Sequence, residues 1–190
     1  MRLIILILFL SISNAYAICE QSMSRSKIVV AGGSITEIVY FLGMEDKLVG
    51  VDITSNFPKE AKKLKSIGYL RNLSIEGILS LSPGLVLAEE DIGPPIIVNQ
   101  LRKTSIDLRI IKEKNNLNGI HNKIVCISKI LNTSLEDNKD YVELQKKLYR
   151  VRNLKKINSK KIKKILLILM MRGSSPVVAG KNTSGQGFIE

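Results

Sequence analysis

The chain predicts an α/β fold: a parallel-sheet N-terminal lobe, a long bridging helix and an incomplete second α/β lobe. Three observations lead there. Short apolar runs recur through the first half without the polar alternation of a half-exposed strand, as strands buried on both faces require. Turns marked by glycine or proline close most of them. Between the runs lie segments with apolar residues at helical spacing, and strands alternating with helices define a mostly parallel sheet.

The opening stretch, MRLIILILFLSISNAYA, has one arginine, an apolar run, a polar patch and Ala15-Tyr16-Ala17. That order describes a secretory signal peptide over 1–17 cleaved after Ala17, and the run is too short to span a bilayer, which needs about 20 apolar residues. A lipoprotein reading of Cys19 is disfavoured by Ile18, where lipidation wants a small residue. The mature chain is therefore expected in the periplasm.

A strand at Lys27 to Val30 stops at Ala31-Gly32-Gly33. Ser34-Ile35-Thr36-Glu37 then fits a capping box, with Ser34 as N-cap and Glu37 reaching back, and the helix ends at Gly43. Leu48 to Val51 is a second strand. Asn56-Phe57-Pro58 starts a helical turn, and Ser74 caps a short helix through Leu79. Pro83-Gly84 turns into the apolar run Leu85 to Ala88, Pro94 or Pro95 opens a helix with Ile97 and Leu101, and Leu108 to Ile111 is the next strand. Ile120, Ile124, Ile127 and Leu131 mark an amphipathic helix. A long helix from Leu135 to Lys156 follows, with Tyr141, Leu144, Leu148 and Val151 on one face. Ile165 to Met170 reads as a strand, with Pro176 to Ala179 as its partner across Gly173-Ser174-Ser175. Ligands of such sheets sit outside the carboxyl ends of the strands. The loops at Gly32 to Thr36 and Ser66 to Leu73 are expected on that edge.

The formal charge is +12, and eleven Lys/Arg between Lys139 and Lys164 face only Asp140 and Glu143, a local net of +9. Such a run could hold nucleic acid or anionic lipid. No aromatic alternates with the lysines after Tyr149, as base stacking would want, so a solvated helix face is expected and no nucleic acid. Cys19 and Cys126 could pair in an oxidising space. Cys19 falls in a terminus expected to fray and Cys126 in a helical pattern, so no bridge is expected.

Few residues carry chemistry. His121 lacks partners at ligand spacing. Ser34, Ser74 and Ser174 lack a nucleophile setting, Met170-Met171 belongs to a strand, and Gly32-Gly33-Ser34 fits neither phosphate-loop pattern. No enzyme is indicated. Tyr69, after Gly68 and two residues before Arg71, stands at a loop tip ahead of a helix. A phenolate is a hard anionic donor suited to ferric iron and is one of the axial ligands proteins give haem.

Ala31 to Tyr40 (AGGSITEIVY), Leu48 to Asp52 (LVGVD), Gly68-Tyr69-Leu70-Arg71, Leu73 to Leu81 (LSIEGILSL) and Gly93-Pro94-Pro95 together resemble the periplasmic haemin-binding proteins of bacterial haem importers, the substrate-binding components of ABC transporters in the class III periplasmic binding protein family. Pro176 to Lys181 (PVVAGK) resembles the start of their second lobe. The resemblance implies two α/β lobes bridged by one long helix: 27–132 as the first lobe, 133–160 as the basic inter-lobe helix and 161–190 as the start of a truncated second lobe. It implies haem as transported ligand, with Tyr69 on its iron, and an inner-membrane ABC permease as partner, docked through Glu76. An outer-membrane haem receptor would act upstream. Arg71, on its own chemistry, could pair with a propionate or favour the phenolate. Plainer roles stand beside these: a loop tyrosine commonly packs its ring and solvates its hydroxyl, and Glu76 would merely favour a helix N-terminus. Gly84 departs from the family's aspartate, and about thirty residues of second lobe fall below the ~40 that fold unaided. Two alternatives stand: a ferric-siderophore or cobalamin carrier of the same fold, and an inert remnant or basic surface-binding protein.

Overall fold

A computed structural model describes residues 18–112, 114–154, 164–181 and 183–189. The signal-like leader, residues 155–163 of the basic run and the far end of the long helix lie outside the described residues. Five parallel strands form one sheet in the order β3-β2-β1-β6-β7: β1 (Ile28–Ala31), β2 (Leu48–Val51), β3 (Lys65–Ser66), β6 (Leu85–Glu89) and β7 (Asp107–Ile111). Helices α1 (Gly33–Phe41), α2 (Ile75–Leu79), α3 (Pro95–Leu101) and α4 (Leu117–Leu131) cover it. A short antiparallel hairpin, β4 (Gly68–Tyr69) with β5 (Asn72–Leu73), lies between β3 and α2.

The apolar runs are strands because both faces of the sheet are covered. Ile28, Val30, Leu85 and Leu87 point into one core with Ile35, Val39, Ile127 and Ile130 of α1 and α4. Val29, Ala31, Val86 and Ala88 point into the other, with Ile67, Leu70, Leu73 and Ile78. Period-two alternation thus distributes one run between two cores, and no polar face remains to be read. At roughly 25 cal/mol per Å2 of apolar area, this double burial dominates the stability of the sheet.

Two local expectations are corrected. Ser34 is not the N-cap of α1. Gly32 holds that position, no side chain caps the helix, and the Ser34 hydroxyl is bonded to Glu89 instead. The long helix, α5 (Lys139–Leu154), begins four residues later than expected because Asn138 caps it, its Oδ1 accepting from the Tyr141 amide at 2.9 Å. Ser74 does cap α2, accepting from the Gly77 amide at 3.2 Å, and Gly43 ends α1 with a left-handed φ of 68°.

The cysteine expectation is also overturned, for Cys19 and Cys126 form a disulfide. The N-terminal segment does not fray. The Ser22 amide donates to the Ile130 carbonyl at 2.9 Å and Arg109 reaches the Ile18 carbonyl at 3.3 Å. Those contacts hold the segment between α4 and the end of the sheet at β7, where Cys126 of α4 meets it.

After α5 come β8 (Ile168–Arg172), starting three residues later than expected, β9 (Ser175–Val178) and α6 (Ser184–Ile189). Among the described residues, strands β8 and β9 pair only with each other. No described helix is long and apolar enough to cross a membrane.

Candidate functional site

The chain runs outward from β1 through β2 to β3, then returns to the other side of β1 as β6 and β7. The reversal falls between β1 and β6, and a parallel sheet opens a ligand crevice at that point on its carboxyl edge. The loops following β1, β2, β3 and β6 all emerge there, as expected of Gly32 to Thr36 and Ser66 to Leu73.

Tyr69 is carried over this edge by the β4–β5 hairpin. The Ile53 amide, just after β2, donates to the Gly68 carbonyl at 2.9 Å. On the other side the Gly93 amide donates to Leu70 at 2.8 Å, and the Leu73 amide donates to Gly93 at 2.9 Å. Since β2 and β6 flank β1, a hairpin stitched to the loops behind both of them lies across the end of the central strand. Gly93 permits the approach, because a Cβ there would meet the Arg71 carbonyl oxygen at 3.2 Å. Buried Leu70 and Leu73 root the hairpin in the core while Tyr69 stays 40% exposed. It is a strand residue of a braced hairpin rather than a free loop tip.

Arg71 does not stand free beside it. Its Nε donates to Asp91 Oδ2 at 2.9 Å and its Nη2 donates to the same oxygen. The Asp91 carboxylate, through hydrogen bond and charge, raises the guanidinium above its ordinary range, and Tyr69 adds to this. One carboxylate oxygen takes two of the five N–H donors, so the cation stays near the tyrosine with donors to spare. Ile53 and Phe57, from the loop after β2, are 58% and 65% exposed. They add apolar surface on the same edge, the kind on which a flat hydrophobic ligand rests.

Two further constellations escaped sequence reasoning. Asp52, at the end of β2, is 2% exposed. Its carboxylate accepts from the Gly32 amide at 2.9 Å, the Thr54 amide at 3.1 Å, the Thr54 hydroxyl at 2.7 Å and the Ser55 hydroxyl at 3.0 Å. It locks the loops after β1 and β2 together. The Gly32-Gly33-Ser34 turn, open on paper to an external anion, is filled from within. Ser34 Oγ donates to Glu89 Oε1 at 2.6 Å, and Lys123 of α4 binds Ser34 at 2.5 Å and Glu89 at 3.5 Å. A Cβ on Gly32, whose φ is 137°, would stand 2.5 Å from Glu89 Cγ. Their sequence signals were polar residues at or near strand ends, and Lys123, in the middle of α4, gave none.

An apolar groove of about 520 Å3 lies beside this network, between α1, α4 and Phe57, with Lys123 in its wall; Tyr69 does not line it. His121 bonds Gln145 at 2.9 Å and stacks on Tyr141, so it joins α4 to α5. No described group of three His, Cys, Asp or Glu side chains could hold a metal ion. Glu76 projects exposed from the first turn of α2. The Ser74 hydroxyl donates to it at 2.7 Å and holds its carboxyl below the usual carboxylate range.

A doubly covered parallel sheet with its loops gathered at the carboxyl edge defines an α/β fold, and ligands of such sheets bind at that edge. The chain belongs to the periplasmic binding protein family, whose model matches residues 28–190. It is similar to the periplasmic haem-binding protein of Vibrio cholerae, at 31% identity and a TM-score of 0.71 over 87% of this chain and 63% of that one. Among curated relatives it is 35% identical over 103 residues to an uncharacterized ABC transporter substrate-binding lipoprotein of Bacillus subtilis, 53% of this chain and 32% of that one. It is 32% identical over 87 residues to a vitamin B12-binding protein of Yersinia pestis, 46% of this chain and 31% of that one. The chain thus matches about a third of the curated relatives' length.

Proposed function

We propose that this chain is an exported haem-binding protein that delivers its ligand to an inner-membrane ABC permease. The observation that carries this reading is Tyr69: a partly exposed phenol on a hairpin braced from both sides, at the ligand-binding edge of the sheet, with a cation two residues away. The donor set fits the cargo. A phenolate oxygen suits ferric iron, Arg71 has donors for a propionate, and Ile53 and Phe57 offer apolar surface to a porphyrin. Similarity to haem-binding proteins at 31% identity supports the same ligand. Residues 27–132 form the first lobe, 133–160 the bridging segment and 161–190 the beginning of a second lobe, exported behind a leader cleaved after Ala17. Glu76, exposed and ionised on α2, is the contact for the permease.

Haemin titration tests this reading. A Soret shift on binding, lost in Tyr69→Ala, is the expected result; equal binding by wild type and Tyr69→Ala rejects Tyr69 as ligand. The similarity to a vitamin B12-binding protein favours cobalamin as the second reading. Cobalamin that competes haemin off, and binds Tyr69→Ala unchanged, selects it.

A further inference from the structure

The carboxyl ends of β1 and β6 flank the point where the strand order reverses, and a polar chain joins them there. Ser34, three residues beyond β1, donates to Glu89, the last residue of β6, and Lys123 of α4 donates to both. The Lys123 side chain is 2% exposed and that of Glu89 is 24% exposed. The ammonium is sealed from water, whereas the carboxylate still reaches it at the edge where ligands of such sheets bind.

Stability does not account for this pair. Taking a lysine and a glutamate out of water offsets most of their mutual attraction, and a well-packed apolar residue in such a place is often as good or better. Position 123 stands with Ile120 and Ile124 on the wall of an apolar groove, where such a residue would fit. What the pair does fix is the direction of one charge. Glu89, Glu90 and Asp91 follow one another at the end of β6, and Arg71 is the cation two residues from Tyr69. Asp91 already accepts from two N–H groups of Arg71. Glu89 is near enough to act on the same guanidinium through its charge. A second carboxylate turned onto Arg71 would take donors that a ligand needs. Ser34 and Lys123 tie Glu89 to α1 and α4 instead.

We propose that Lys123 is a positioning residue of the ligand edge, holding Glu89 off Arg71 so that the guanidinium stays open to an anionic group of the ligand. This rests on the haem reading, with the propionates as the anionic groups. Haemin titration of the full, disulfide-intact chain tests it, with circular dichroism to check each fold. Lys123→Met leaves the carboxylate without its ammonium and should weaken haemin binding about fivefold. Lys123→Met with Glu89→Gln removes the competing charge and should restore wild-type affinity. The dimethyl ester of haemin carries no propionate charge, and in one detergent it should bind wild type and Lys123→Met equally. A purely structural role for Lys123 would weaken both porphyrins, and Glu89→Gln would not rescue it. Ser34→Ala removes the other tether without touching a helix cap, and should weaken haemin binding in the same direction. Equal haemin binding by wild type and Lys123→Met, a loss that Glu89→Gln does not rescue, or an equal loss for the ester overturns the proposal. Should Lys123→Met not fold, unchanged binding by Ser34→Ala overturns it. A wild-type chain that gives no Soret shift rejects the haem reading and this proposal together.

Discussion

The guanidinium of Arg71 is bound to Asp91, a residue twenty positions later on the loop that also anchors the Tyr69 hairpin. The cation beside the proposed ligand is thereby held in place before any ligand arrives. The pair is open to water, with side chains 61% and 40% exposed, so its weight in folding is small and its role is orientation.

Arg71→Ala is accordingly expected to leave the unfolding midpoint nearly unchanged while weakening haemin binding about tenfold, through loss of a charge-assisted contact. Asp91→Ala should weaken binding less, because the cation remains but wanders. Titrations of both variants beside wild type check this order; the reverse order would mean that Asp91 itself meets the ligand.

Asp52→Asn should be far costlier to the fold. An amide oxygen can accept from some of the four donors, but the NH2 group then faces N–H and O–H groups inside a buried site. A loss of about 3 kcal/mol is expected by urea unfolding. Hydrogen exchange should rise together at Gly32 and Thr54, since one carboxylate holds both loops.

Glu76 supplies a pH signature. Its carboxyl is lowered by the Ser74 hydroxyl, then by its own backbone amide. A depressed folded-state value means the contribution is present above the unfolded-state value and lost as pH falls through the folded one. Thermal midpoints measured between about pH 5 and pH 3 should therefore fall more steeply for wild type than for Glu76→Gln. Parallel curves would show that the hydrogen bond does not persist in solution.

Reduction of the disulfide should lower stability by about 4 kcal/mol, because the bond closes a loop of more than a hundred residues in the unfolded chain. The urea midpoint of the reduced chain checks this, and Cys19→Ser should match it. If both midpoints stay at the oxidised value, the N-terminal segment is held by its hydrogen bonds alone.

The strands were legible because a buried parallel strand is written in consecutive residues: IVVA, LVGV and LVLAE need no partner to be recognised. The placement of Tyr69 just ahead of α2 was legible for the same reason, since Gly68, Arg71 and Ser74 lie within six positions of it. What stayed hidden was what one segment does to another. Ser34 followed by Glu37 spells a cap, but Glu89, fifty-five positions on, takes the hydroxyl. Asp52, Ser55 and Thr36 look like ordinary loop and helix polars until the sheet brings β1 beside β2. Cys19 looked frayed because nothing local shows that Ser22 will bond Ile130.

The span of that disulfide also orders events in time. On the proposed export, N-terminus first, Cys19 would arrive first and wait as a thiol until Cys126 of α4, 107 positions behind, had followed. Residues 1–190 hold two cysteines, so within that stretch Cys19 has Cys126 as its one partner, and the competing error is a bond between neighbouring chains. The five-stranded sheet, whose strands all lie between the two cysteines, is therefore sealed late. The rate of its maturation should depend on how crowded the newly arrived chains are, rather than on any reshuffling of bonds.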